Sequence, residues 1–155
     1  MWLNYLHIFL ISMLPLIELR GAIPVSQALD MPVIPSYIIC IIGNLIPIPF
    51  IYLFAGKFLH WGKDKKIVGK FCRWCLDKGN KAGAKLAKKA GRTSLFFALM
   101  LFVGIPIPGT GAWTGILAAS FLDMGFKSAT AAVALGVILA GTIMMTASYL
   151  GFGLI

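Results

Sequence analysis

The sequence is organised around Pro15-Leu16-Ile17-Glu18-Leu19-Arg20-Gly21-Ala22-Ile23-Pro24, which places two opposite charges in an otherwise apolar N-terminal segment. A charged side chain at bilayer depth costs at least about 2.5 kcal/mol, so it normally faces a cavity or a partner and marks a pathway. Pro15, Gly21 and Pro24 predict that a helix breaks in this stretch. Broken backbone is tolerated at membrane depth only where protein or a water-filled cavity surrounds it. The stretch therefore predicts the tip of a re-entrant hairpin that lines a polar site.

The composition is typical of an integral membrane protein. Of the 155 residues, 59% are hydrophobic and 12% are charged, which argues against a soluble globular domain. The net charge of +9 comes from one block, because residues 57–92 contain twelve Lys and Arg against two Asp. A basic block between apolar spans is typical of a cytoplasmic loop, with anionic lipid head groups as its nearest partners. We therefore expect membrane lipids as partners and no nucleic acid.

The basic block allows two interpretations. The alanines and lysines of residues 81–89 favour a helix, which would lie in the membrane interface with its lysines snorkelling to head-group level. A solvated helical loop that only sets the topology fits the pattern equally well. Residues 1–7 lack the basic region and cleavage site of a secretory signal peptide, so we expect the N-terminus to be retained.

Patterns for catalysis, metals and cofactors are weak in this sequence. His7 and His60 flank the membrane segments, and no Ser, His and acid come together in a motif, so we do not expect an enzyme. Cys72 and Cys75 form a single CxxC without a second ligand pair. We expect neither a metal site nor a cofactor.

The first half reads as a short hairpin followed by a spanning helix. Residues 2–14 form an apolar run that would reach only about 20 Å as a helix, too short for a hydrocarbon core of about 30 Å. Residues 33–54 are long enough to cross. Asn44, beside Pro47 and Pro49, predicts a kink there that opens onto the same cavity.

The second half repeats this order. Two apolar runs, residues 94–105 and 112–122, flank the break Pro106-Ile107-Pro108-Gly109-Thr110-Gly111. Residues 128–150 are then long enough to cross once, and their small residues permit close helix contacts, including those of a homodimer.

These segments predict an all-α integral membrane protein of one domain. Residues 1–56 form a hairpin-plus-helix repeat, residues 57–92 a basic cytoplasmic helical linker, and residues 93–155 a second repeat. Each half crosses the membrane an odd number of times, so the repeats are inverted and their two breaks meet near the midplane. Opposed helix ends could hold an ion or an anionic head group there. The alternative is four ordinary spans with proline kinks.

The motif from Glu18 to Pro24, together with the motif from Pro106 to Gly111, resembles the family of small multidrug export proteins and the wider DedA and VTT superfamily. The resemblance covers nearly the whole chain. It implies facing re-entrant hairpins in the plasma membrane of a bacterium or archaeon, crossed several times. It also implies transport of phosphate-bearing lipids such as undecaprenyl phosphate, often coupled to protons, with essential acids and arginines in the hairpins. This sequence departs from that pattern because its second hairpin has neither an acid nor an arginine.

Three hypotheses follow for the two charges. In the first, Arg20 holds a lipid phosphate through its bidentate fork and Glu18 takes up a proton when the phosphate leaves. In the second, a proton and a small organic cation share Glu18 in a proton-driven drug exporter, and Trp113 offers a cation-binding face. In the third, the charges only neutralise each other. The candidate substrate- or ion-binding residues are Glu18, Arg20, Gly21, Pro24, Asn44, Pro106, Pro108, Gly109, Thr110 and Gly111.

Overall fold

The protein is a bundle of α-helices in a computed structural model. The structure describes residues 2–15, 17–62, 64, 69–107 and 110–152. Between residues 58 and 90 it describes only some of the side chains, and it does not describe the side chain of residue 152. Gly91 has a non-helical conformation (φ 75°, ψ 165°) that divides the fifth helix into a basic and an apolar segment. The helices are α1 (Trp2–Met13), α2 (Glu18–Ala28), α3 (Val33–Leu45), α4 (Pro47–Gly62), α5 (Gly69–Gly104), α6 (Ala112–Phe121) and α7 (Phe126–Phe152).

Within the described part of the chain, two helical segments are long and apolar enough to cross a membrane. They are Val33–Lys57, which combines α3 with most of α4, and Phe126–Gly151 in α7. The helices α1, α6 and Gly91–Gly104 are apolar but shorter. Large apolar side chains such as Phe50 (70% exposed) and Phe54 (71% exposed) project from the bundle, as expected of a surface covered by lipid.

Several observed helix ends lie close to the predicted ends of the apolar runs. Helix α1 ends one residue before the predicted end of the first short run, whereas α4 continues to Gly62, past residue 57 where the linker was predicted to begin. A single residue, Ile46, separates α3 from α4 at the predicted interruption. The two short segments of the second half lie on either side of the predicted break.

The predicted break at Gly21 and Pro24 is wrong. The first helix ends at Met13, and α2 continues from Glu18 through Pro24 to Ala28. Proline has a φ angle suited to a helix, and what it removes is the N–H that would bind the carbonyl four residues earlier. That carbonyl belongs to Arg20, so α2 contains one weakened turn and no break.

The two halves pack with the same pattern of partners. The first helix of each half packs against its own spanning helix, as α1 does against α3 and the apolar part of α5 against α7. The second helix also packs against the spanning segment of the other half, as α2 does against α7 and α6 against α4. Most fully buried apolar side chains come from α2, α6 and α7, so the core lies where the halves meet.

The tripeptide Leu-Asp-Met occurs twice, at the ends of α2 and α6, and has the same conformation in both places. Asp30 and Asp123 each have a φ of 52°, in the left-handed region. The next residue donates its N–H back to the helix, Met31 to the carbonyl of Ser26 and Met124 to that of Ala119, both at 3.0 Å. This is the Schellman ending, in which aspartate replaces the usual glycine.

The repeat keeps its register beyond these turns. Helices α3 and α7 both begin two residues after the methionine of Leu-Asp-Met. Twelve residues after each methionine stands a glycine, Gly43 or Gly136, that leaves no room for a side chain. A Cβ atom at either glycine would lie 2.7 Å from a backbone carbonyl oxygen of the first helix in the same half, that of Phe9 or Met100. The turn, the helix start and the glycine therefore recur at the same spacing in both halves.

Candidate functional site

Glu18 joins the first half to the second by capping α6. Its Oε2 accepts the N–H of Ala112 and its Oε1 accepts the N–H of Trp113, both at 3.1 Å. These are the first two N–H groups of α6, which have no partner within their own helix. A side chain at the N-cap normally supplies the acceptor, but the N-cap residue here is Gly111. A carboxylate from the other half therefore takes the place of the missing cap.

Gly111 is shaped to receive this carboxylate. A Cβ atom at position 111 would lie 2.5 Å from Oε1 and 2.7 Å from Cδ of Glu18. These separations are well below van der Waals contact, so no other residue fits without moving the carboxylate. The N–H of Gly111 donates to Thr114 Oγ1 at 2.9 Å, which satisfies one more group at this helix end.

Arg20 binds the opposite end of the same break. Its Nη1 donates to the carbonyl of Ile107, and its Nη2 donates to the carbonyls of Val103 and Ile105, both at 3.1 Å. Nη2 also donates to Thr110 Oγ1 at 3.2 Å. The carbonyl of Val103 lies in the last turn of α5 and the other two follow the end of that helix, where carbonyls lack a donor from their own helix. The guanidinium thus joins the end of α5 and the residues that follow it in one hydrogen-bonded cluster.

Each charge meets the helix end of opposite polarity. The N-terminus of a helix carries partial positive charge and the C-terminus partial negative charge, which matches carboxylate at α6 and guanidinium at α5. The two side chains bind different partners, so the interpretation that they only neutralise each other does not describe their contacts. Both charges of the cluster come from the first half, and the second half supplies the helix ends that they bind.

Strain accompanies this arrangement. Glu18 has a φ of 53° and its side chain is 5% exposed. A non-glycine residue in the left-handed region costs about 1–3 kcal/mol and persists only where the surroundings determine it. Because this backbone redirects the side chain, Glu18 and Arg20 reach the same break although they are only two residues apart.

The structure brings only some of the predicted site residues together. Glu18, Arg20, Thr110 and Gly111 form the cluster, while Pro106 lies within the turn and removes an N–H from it. Pro108 and Gly109 lie outside the described residues. The expected contact between the two breaks is confirmed; whether these residues bind a substrate stays a prediction.

The remaining three predicted residues lie away from these hydrogen bonds. Gly21 leaves space for the Cγ2 atom of Ile17 one turn earlier in the chain. Pro24 lies inside α2. Asn44 is buried, and both polar atoms of its amide lack a hydrogen-bond partner.

The sequence did not predict that Glu18 accepts hydrogen bonds from the backbone N–H groups of Ala112 and Trp113. A signal was available, because the apolar run that begins at Ala112 follows glycine rather than a capping side chain. The side chain of Trp113, considered as a cation-binding face, is partly buried and its Nε1 has no partner. Among the described residues, no group of three or more His, Cys, Asp or Glu side chains is placed to hold a metal ion.

Comparison with known families identifies the chain. Residues 18–143 match the family described as "Putative small multi-drug export protein". The chain belongs to this family. The matched region contains Glu18, Arg20 and every group that they bind across the halves. No curated protein and no solved structure matches the chain. The family and the two apolar spans together indicate a membrane protein.

Proposed function

We propose that the protein is a membrane transporter that exports small organic cations in exchange for protons, with Glu18 as the shared binding site. The observation that carries the proposal is the position of the Glu18 carboxylate, buried between the halves and bound to the first two N–H groups of α6. Ionisable groups at such depth are functional by default. The family description agrees with export of small molecules.

The carboxylate can couple binding to a change of conformation. While ionised, it accepts two charge-assisted hydrogen bonds and holds α6 against α2. A proton or an organic cation on the same oxygens weakens those bonds, because it withdraws the negative charge that the N–H groups bind. Binding would then favour a state in which the halves separate, and a ligand shifts an equilibrium only through such differential affinity.

Transport of a phosphate-bearing lipid is the competing function, and it follows from the resemblance to DedA proteins. In that mechanism Arg20 binds phosphate, but its Nη atoms already donate to three carbonyls and to Thr110. A phosphate would have to displace these four contacts, although the carbonyls of Ile105 and Ile107 would keep the N–H groups of Ile107 and Thr110 as donors. The contacts of Arg20 therefore support a positioning role for its guanidinium.

Reconstitution into liposomes with a pH step across the membrane tests the function. We expect a fluorescent organic cation to move only when the pH step is present, whereas a fluorescent phosphate lipid stays in its leaflet. Liposomes without protein, and liposomes at equal pH on both sides, provide the controls. Lipid movement without movement of the cation would reject cation export in favour of the head-group mechanism.

The proposed topology is an inverted repeat with two re-entrant hairpins. The shared pattern of helix contacts and the two Leu-Asp-Met turns support a repeat, and the short length of α1 and α6 supports hairpins that do not cross. The basic segment of residues 57–92 would face the cytoplasm against anionic head groups, with both termini outside.

Cysteine labelling in intact cells tests this topology. We expect Asn4→Cys to react with an impermeant maleimide from outside, and Lys127→Cys to react only after lysis, because the charge rule places Lys127 inside. Both variants require Cys40, Cys72 and Cys75 to be replaced by serine. Reaction of both positions from the same side would contradict the inverted arrangement.

A further inference from the structure

The buried face of α3 carries polar groups that have no partners. Ser36, Cys40 and Asn44 are spaced four residues apart, so they fall on one side of the helix, and each is at most 1% exposed. The Ser36 hydroxyl and both polar atoms of the Asn44 amide have no hydrogen-bond partner among the residues that the structure describes. Counted from the Leu-Asp-Met turn, the equivalent residues of α7 are Ala129, Val133 and Val137.

The polar stripe, defined as Ser36, Cys40 and Asn44, lies between two packed sides of α3. On one side of the stripe, Gly43 packs against the backbone of α1. On the other side, Tyr37 and Ile41 lie 3.0 and 3.7 Å from where a Cβ atom of residue 141 in α7 would be. Apart from α4, which continues α3, the other helix that packs against α3 is α2, so we infer that α2 covers the stripe.

The stripe extends from the surface turn to the depth of Glu18. Helices α2 and α3 are joined by residues 29–32 and pack against each other, so they run antiparallel. Residues equally far from Met31 along the chain lie at similar depth. Ser26 is therefore at the level of Ser36, and Glu18 is at the level of Asn44. Eight residues separate the ends of the stripe, about 12 Å along the helix. Both Ser26 and Glu18 lie on the buried side of α2.

Unpartnered polar atoms are costly in a buried seam. Natural proteins satisfy such groups with protein or with ordered water, and apolar residues of similar size would pack there without that cost, as they do in α7. We propose that the seam between α2 and α3 is a water pathway from the turn at residues 29–32 to Glu18, closed in this conformation and hydrated when the helices separate.

The pathway would deliver water and protons to Glu18. This role in supplying protons rests on the proposed function. Asn44 would bind water beside the carboxylate, since its amide both donates and accepts. Ser36 and Ser26 would line the opening near the turn. The physical claim, that the seam becomes wet, holds without any substrate and can be measured separately.

Cys40 provides a natural probe at the middle of the stripe. In a Cys72→Ser, Cys75→Ser background it is the single thiol of the chain. A thiol reacts as its thiolate, which forms only where water reaches it. With 2-(trimethylammonio)ethyl methanethiosulfonate on both sides of proteoliposomes, we expect Cys40 to react at least about tenfold faster than a thiol introduced by Val133→Cys in the Cys40→Ser protein. Val133 is the matched control because it is the equivalent, fully buried residue of α7.

Asn44→Leu separates hydration from folding. Leucine is similar in size and removes both unpartnered polar atoms, so we expect an unchanged or higher unfolding midpoint together with Cys40 labelling slowed to the rate at position 133. Equal rates at positions 40 and 133, or Cys40 labelling unaffected by Asn44→Leu, would overturn the pathway. Rapid labelling without cation transport would reject only the proposed function, and transport with slow labelling would reject only the pathway.

Discussion

Glu18→Gln is expected to abolish export of an organic cation driven by a pH step, reducing the rate to that of liposomes without protein. Glutamine keeps the size of the side chain but can neither release a proton nor balance a cation. Its amide nitrogen would also face one of the two N–H groups of α6 that now bind the carboxylate. A donor left unpaired in a buried position costs about 1–3 kcal/mol, so the variant should also unfold at a lower temperature.

The matched control for this variant is Asp30→Asn. Asp30 lies at the other end of α2, is exposed, and has the same left-handed backbone as Glu18. Asparagine tolerates that conformation, and the exposed carboxylate has no contact across the halves to lose. We expect its transport rate and unfolding midpoint to match those of the unmodified protein. Normal pH-driven transport by folded Glu18→Gln would show that Glu18 is not the exchange site.

Gly111→Ala is expected to disrupt the same contact from the other half. Its Cβ would lie 2.5 Å from a carboxylate oxygen of Glu18, so the carboxylate must withdraw from α6. The N–H groups of Ala112 and Trp113 then lose their acceptor, and we expect the free energy of unfolding to fall by at least about 1–3 kcal/mol. Transport should fall with it, because the coupling of Glu18 to α6 is lost.

Gly125→Ala provides the comparison for this steric effect. Gly125 also precedes a helix, and a Cβ atom at position 125 would contact nothing within 4 Å. Thermal unfolding in detergent, followed by circular dichroism, should place Gly125→Ala near the unmodified protein and Gly111→Ala well below it. Equal unfolding midpoints for the two variants would mean that the Glu18 cap contributes little to the stability of the bundle.

Local sequence determined most of the helical framework. Hydrophobic run lengths and the positions of Pro and Gly predicted short helices on either side of residues 106–111 and the interruption beside Asn44. These features follow from the lost N–H of proline and the conformational freedom of glycine, which act within a few residues. The same reasoning was wrong at Pro24, since packing against α3 and α7 keeps α2 helical there.

The sequence also identified Glu18 and Arg20 as the residues that require an explanation, because charges are costly in an apolar segment. It also contained Leu-Asp-Met twice, but only the structure shows that each copy ends a helix with the same kind of turn. The sequence likewise showed that Gly111 has no side chain to cap α6, but it did not show which other side chain supplies the acceptor.

Only the tertiary structure decided where the two charges bind. Glu18 and Arg20 meet partners 83 to 95 residues away in the chain, and no local pattern encodes such a pairing. It depends on how α2 packs between α3 and α7, which places its first turn against the ends of α5 and α6. Every helix end carries unpaired N–H or carbonyl groups. Such groups bind a charged side chain rather than water only where packing has excluded water from the helix end and from the charge.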